Sequence, residues 1–183
     1  MPILSFGGDN VREAWDVYGE DFMPINGRIA YRGRHDLGAH EYHLVVYAWI
    51  ISDDNRIILS KRQKGKSFSG LWECTGGCAK AGEDSKSAVL REVSEELGIT
   101  LDPVSGELYR RYKRRYPVGA KAICDVWIFR QNIDISLIVP QKEEVSEVRT
   151  LSAEELLSMH KNGAFKKRYL YVEDMLEKFC GVT

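Results

Sequence analysis

The longest apolar run in the chain, Leu44 to Ile51 within Tyr42 to Ser52, has no polar alternation. It predicts a strand buried on both faces, because a half-exposed strand would show a period of two. Asp53-Asp54-Asn55 supplies turn chemistry after it, and Arg56 to Arg62 returns as a second strand. Gln63 to Gly70 is polar and glycine-containing and reads as a loop. From Asp84 to Leu97 the apolar residues Ala88, Val89, Val93 and Leu97 recur every three to four positions, a helical period, with Gly98 placed to stop the helix. Two further strands are expected over Glu107 to Tyr116 and Ala120 to Arg130. Ser152-Ala153-Glu154-Glu155 has capping-box spacing before Leu156 and Leu157, and a last helix is expected from about Phe165 to Phe179. Before all of these, Trp15 to Tyr18, Met23 to Ile25 and Gly27 to Arg32 read as short strands around polar turns, a hairpin-like extension over residues 1–38. The order of elements predicts the α/β class, a mixed sheet covered by helices, over residues 39–183.

Composition narrows the function classes. At 183 residues the chain suits one main domain, and with 44% hydrophobic and 29% charged residues it is able to bury a core. Lysine and arginine total 26 against 27 acidic residues, so no overall field draws the protein to nucleic acid or an anionic membrane. No apolar run reaches the roughly 20 residues of a membrane helix, and Asp9, Arg12, Glu13 and Asp16 make the N-terminus unlike a signal peptide. A soluble, cytoplasmic protein is expected. Cys74, Cys78, Cys124 and Cys180 are too scattered for a zinc site and read as reduced thiols.

The chemistry concentrates between Gly77 and Ile99. On the expected helix Glu92, Glu95 and Glu96 stand at i, i+3 and i+4, so three like charges share one face. Unneutralised, they would repel; a hard divalent ion accepts several carboxylate oxygens and relieves that repulsion. The cluster therefore predicts Mg2+, with Mn2+ as the alternative, against the competing reading of a solvated acidic face. Gly77 and Gly82 frame a loop whose backbone can approach an ion, and Arg91 stands four residues before Glu95 and eight after Glu83, in reach of either.

The pattern glycine, five residues, Glu83, seven residues, Arg91-Glu92-Val93-Ser94-Glu95-Glu96-Leu97-Gly98-Ile99 resembles the Nudix box at every fixed position. The resemblance implies a Nudix-type α/β/α sandwich and metal-dependent cleavage of a phosphoanhydride in a nucleoside diphosphate linked to another moiety, or in a related small diphosphate. It implies Glu92, Glu95, Glu96 and the Gly77 carbonyl as metal ligands, with Glu83 and Arg91 supporting them and Glu92 and Glu96 as the catalytic pair. A later base is also open, at Glu143 or Glu144 and less so at Glu147.

The flanks are also similar to isopentenyl-diphosphate isomerases, through His43-Leu44, Lys61-Arg62 and Gly70-Leu71-Trp72. That likeness implies Arg62 and Lys66 as diphosphate-binding cations, useful to a hydrolase as well. The isomerase acid–base positions, however, hold Gly76, Cys78, Ala120 and Ala122. The hydrolase is the preferred reading, with an isomerase-like enzyme and a non-catalytic nucleotide- or RNA-binding module as alternatives. The basic run Arg110 to Arg115, with interleaved tyrosines, fits either a charge-protected edge strand or an RNA-binding surface, nucleic acid being the weaker partner. A homodimer through the N-terminal strands is left open.

Overall fold

The computed structural model describes residues 12–34, 36–65, 69–115, 121–165 and 169–183. Lys66, Tyr116 and Ala120 lie outside the described residues. The central strand is β3 (Tyr42–Ile51), preceded by the hairpin β1 (Ala14–Tyr18) and β2 (Pro24–Tyr31). After it come β4 (Ile57–Arg62), β5 (Trp72–Glu73), β6 (Thr75–Cys78), helix α1 (Ser85–Leu97), β7 (Gly106–Arg115), β8 (Lys121–Arg130), β9 (Val145–Leu151), α2 (Ala153–Asn162) and α3 (Val172–Cys180).

Every residue of β3 is buried, as its unbroken apolar run requires. Its odd-numbered residues Val45, Tyr47, Trp49 and Ile51 enter one core with Leu156, Leu157, Val172, Met175 and Leu176 of α2 and α3. Its even-numbered residues Leu44, Val46, Ala48 and Ile50 enter another with Ala88, Val89, Val93 and Leu97 of α1. Among the described residues the result is helices on both faces of a mixed nine-stranded sheet. Asp84 caps α1 through its carboxylate, and Gly98 ends the helix in the left-handed region, at φ 68°. The capping box at Ser152 and Glu155 is formed.

The two edges of β3 are used differently. On one side β8 runs parallel to it from His43↔Ala122 to Ile51↔Arg130, with β7 antiparallel beyond. The other side is divided among β1 at the start, β6 in the middle and β4 only at Ile51↔Ile57. From that single pair β4 diverges from β3 and pairs with β5 and β9. The sheet therefore forks, and buried Cys74 lies where the chain crosses from β5 on one branch to β6 on the other.

Two expectations are corrected. The last helix starts at Val172 rather than near Phe165, because Phe165, Tyr169 and Tyr171 are held in the core around Trp49. The short strands β5 and β6, and β9, add to those anticipated. Among the described residues no helix is long and apolar enough to cross a membrane.

Trp49 is fully buried against Phe165, Tyr169 and Tyr171, and its indole N–H donates to the Tyr171 hydroxyl at 3.2 Å. We expect Trp49→Ala to cost about 3–5 kcal/mol in chemical denaturation. A loss below about 1 kcal/mol would mean that α3 is not seated on this aromatic cluster.

Candidate active site

The fork leaves a cavity of about 350 Å³. Val45 and Tyr47 of β3 and Gly76, Gly77 and Cys78 of β6 line it, facing Arg91, Glu92, Glu95 and Glu96 of α1. Arg62 at the end of β4 borders it on the far branch, with Gln141 and Glu144. The Gln141 amide N–H donates to the Glu96 carbonyl at 2.9 Å, which anchors this late loop to α1.

Arg91 organises the acidic wall. Its Nε and Nη2 donate to the two Glu83 oxygens at 2.6 and 2.9 Å, while Nη1 donates to Glu92 and Glu95, both at 2.9 Å. Nη2 also donates to the Cys78 carbonyl at 3.0 Å. One guanidinium thus ties the loop, the helix and β6 together, and its hydrogen bonds to Glu83 foremost strengthen its hold on its proton. Glu83 also accepts the Lys80 backbone N–H at 2.8 Å. The sequence spacing offered Glu83 or Glu95 to Arg91, and the structure gives it both.

Glu92 and Glu96 lie deepest. Burial raises the pKa of Glu92 against the lowering pull of Arg91. Glu96, 8% exposed, is pushed up to about 8, first by burial and then by the charges of Glu92 and Glu73. Glu95 is more exposed and is turned to Arg91 and to the Lys80 ammonium, 3.2 Å away. A side chain at Gly77 would strike the Glu92 carboxylate at 2.5 Å, so only glycine lets the β6 backbone lie this close.

This donor set fits a hard divalent cation. Buried, mutually repelling carboxylates gain from an oxygen-seeking ion, and Glu92 and Glu96 would hold it from successive helical turns. Among the described residues no three acidic, histidine or cysteine side chains already form a metal cage.

The remaining sequence candidates divide. Arg62 lines the cavity but is paired with Glu73 at 3.1 Å and Glu144 at 3.9 Å. Of the late acids, Glu144 borders the cavity, Glu143 is exposed, and Glu147 is drawn to Lys61. Sequence reasoning did not single out Lys80, Gln141, Glu13 or Arg32, all of which line the cavity. At the isomerase acid–base positions, Gly76 abuts the Val46 carbonyl, Ala122 is core, and burial pushes the Cys78 thiol up to about 12. The basic strand β7 pairs its charges within the fold: Arg111 with buried Asp125, Arg110 with Asp174 and Lys113 with Glu20.

The NUDIX domain family matches residues 41–173. An uncharacterised Nudix hydrolase of Listeria monocytogenes is 34% identical over 155 residues, covering 84% of this chain and 88% of the relative. An ADP-ribose pyrophosphatase of Methanocaldococcus jannaschii is 38% identical over 69 residues, 36% of this chain and 40% of its own. Among solved structures, DR0079 from Deinococcus radiodurans shares the fold with a TM-score of 0.65 at 21% identity, covering 82% of this chain and 90% of that one. The chain belongs to the Nudix hydrolase family, whose members cleave nucleoside diphosphate derivatives and generally use divalent metals.

The Glu96 environment has a consequence for the metal-free protein. Its folded pKa of about 8 exceeds the ordinary 4.5, so its favourable contribution is complete below pH 4.5 and is lost as pH rises through about 8. We expect chelated wild type to lose thermal stability relative to Glu96→Gln across that interval. Parallel melting curves for the two proteins from pH 5 to 9 would count against this environment.

Proposed function

We propose that this chain is a Mg2+-dependent pyrophosphohydrolase, with Mn2+ as an alternative ion, that cleaves a phosphoanhydride in a small nucleoside diphosphate linked to another moiety. In this reading residues 39–183 are the catalytic domain and residues 1–38 an extension. The observation that carries it is the buried pair Glu92 and Glu96 facing a cavity bordered by Arg62.

Glu92, Glu96 and the Gly77 carbonyl would hold the ion, with Glu95 joining if it leaves Lys80. A bound divalent ion would neutralise phosphate oxygens and activate water. Arg91 and Glu83 keep the loop and the helix in register, so the carboxylates do not have to reorganise when charge arrives. Arg62 and Lys66 would receive the diphosphate; Arg62 can exchange Glu73 or Glu144 for phosphate oxygens, another set of charge-assisted bonds. Glu144, which borders the cavity beside Arg62, would be the carboxylate that takes a proton from the attacking water.

A hydrolysis screen over nucleoside triphosphates, dinucleoside polyphosphates, nucleotide sugars, ADP-ribose, NADH and coenzyme A tests the proposal. Turnover should vanish on exhaustive chelation and return with Mg2+. Glu96→Gln should lower kcat by a factor of about 10² or more while the protein stays folded. Near-normal turnover in that variant would place the catalytic ion elsewhere.

The thiols offer a separate check. Cys74 is buried, and Cys78 is held protonated by burial, so neither is a nucleophile. We expect a Cys74→Ser, Cys78→Ser double variant to retain kcat within about threefold. Complete loss of turnover in a normally folded double variant would give one of them a chemical role.

A further inference from the structure

The cavity has a second end that the Nudix box does not build. Glu13 and Arg32 line it, and both stand outside residues 41–173, the part matched by the family. They flank the hairpin of β1 and β2 and are brought together by its register, where the Arg32 backbone N–H donates to the Glu13 carbonyl at 2.9 Å. This hairpin is fastened to the loop between β6 and α1. The Ala81 N–H donates to the Ala14 carbonyl at 2.8 Å, and the Gly82 N–H donates to an Asp16 carboxylate oxygen at 2.7 Å. Gly82 takes φ +82°, a left-handed conformation that L side chains rarely adopt. The position of the hairpin is therefore set by the same loop that carries Glu83.

The pair itself is held in a defined pose. Glu13 accepts the Trp15 indole N–H at 2.6 Å on one oxygen and Arg32 Nη1 at 3.2 Å on the other. Trp15 in turn stacks on buried His43, with centroids 4.5 Å apart and planes at 18°. Burial lowers the His43 pKa to about 4, so the imidazole behind the pair is neutral at pH 7. The described residues occupy one N–H donor of the Arg32 guanidinium, out of five, and each Glu13 oxygen retains a lone pair. The outcome is a donor and an acceptor side by side on the wall of the cavity, with no net charge between them.

Arg32 by itself would attract a terminal phosphate, but Glu13, held beside it by the Trp15 indole, repels one, and its field already reaches Glu92. A hydroxyl, which both donates and accepts, fits both members at once. We propose that Glu13 and Arg32 form a specificity-determining pair that reads an uncharged, hydroxyl-bearing group attached to the substrate's diphosphate. This rests on the pyrophosphohydrolase reading above and adds to it the chemistry of the attached group.

The test compares ADP-ribose with inorganic pyrophosphate, which has the diphosphate without the attached groups. Affinities of wild type, Glu13→Gln and Arg32→Gln are measured by calorimetric titration with Mg2+, and KM and kcat wherever turnover occurs. Both substitutions lie at the partly exposed rim, and the amide oxygen introduced by Glu13→Gln remains an acceptor for Trp15, so both variants should fold, which melting curves check. Each variant should weaken ADP-ribose by about tenfold or more, chiefly in Kd or KM, and leave pyrophosphate within about twofold. Equal weakening of both would make the pair a phosphate contact, and no weakening of either would make it structural; each overturns the inference. A wild type that binds no ADP-ribose also overturns it, while turnover of any compound in the screen leaves the pyrophosphohydrolase reading standing.

Discussion

The guanidinium of Arg91 is the constraint on which the site depends. Three glutamates on its own helix and loop would separate if left to their mutual repulsion, and β6, although paired with β3, has no other side-chain tie to them among the described residues. By bonding Glu83, Glu92, Glu95 and the Cys78 carbonyl at once, Arg91 makes the acidic loop-helix unit and the strand beneath it one body. A lysine could not replace it, because a single ammonium lacks the planar fork that serves Glu83 with two parallel bonds and still reaches three other acceptors. The buried charges of Glu92 and Glu96 are tolerable in that setting because a cation stands beside one of them and because proton uptake remains available to the other.

Much of this could be read from the sequence, for identifiable reasons. The strand β3 was legible because both its faces are buried and so every position from Leu44 to Ile51 is apolar. Helix α1 was legible because its period, its Asp84 cap and its Gly98 stop agree, and the acids that matter lie within four residues on one of its faces. The strands β5 and β6 were not, since six residues that include Gly76 and Gly77 have no period to detect; they are strands because β3 and β4 offer open edges. In β9 the alternation is blurred by Ser146, Glu147 and Arg149, whose side chains run along the surface.

The site was legible only where its partners are close in the chain. The bonds of Arg91 to Glu83 and Glu95 follow from helical and loop spacing. Glu13 and Arg32 are 19 residues apart and reach the cavity through a hairpin register and a docking contact that no local pattern encodes. Arg62 shows the converse: its cationic character was readable, but its pairing with Glu73 arises from strand adjacency and gives it a competitor for any anion.

The fork in the sheet carries a mechanical implication. Since the ladder between β3 and β4 is limited to Ile51↔Ile57, the branches that carry the acidic wall and Arg62 part from a pivot inside the core, with the Gln141–Glu96 bond as a second tie at the open end. Arg62 stands five residues along β4, roughly 17 Å from that pivot at strand rise, so a tilt of only about 3° between the branches moves it by about 1 Å. Displacements of that size are enough to spoil the alignment of reacting groups. Repacking around Ile57 would therefore retune the width of the cleft without touching a residue that lines it, making the apolar pivot a remote adjuster of catalytic geometry.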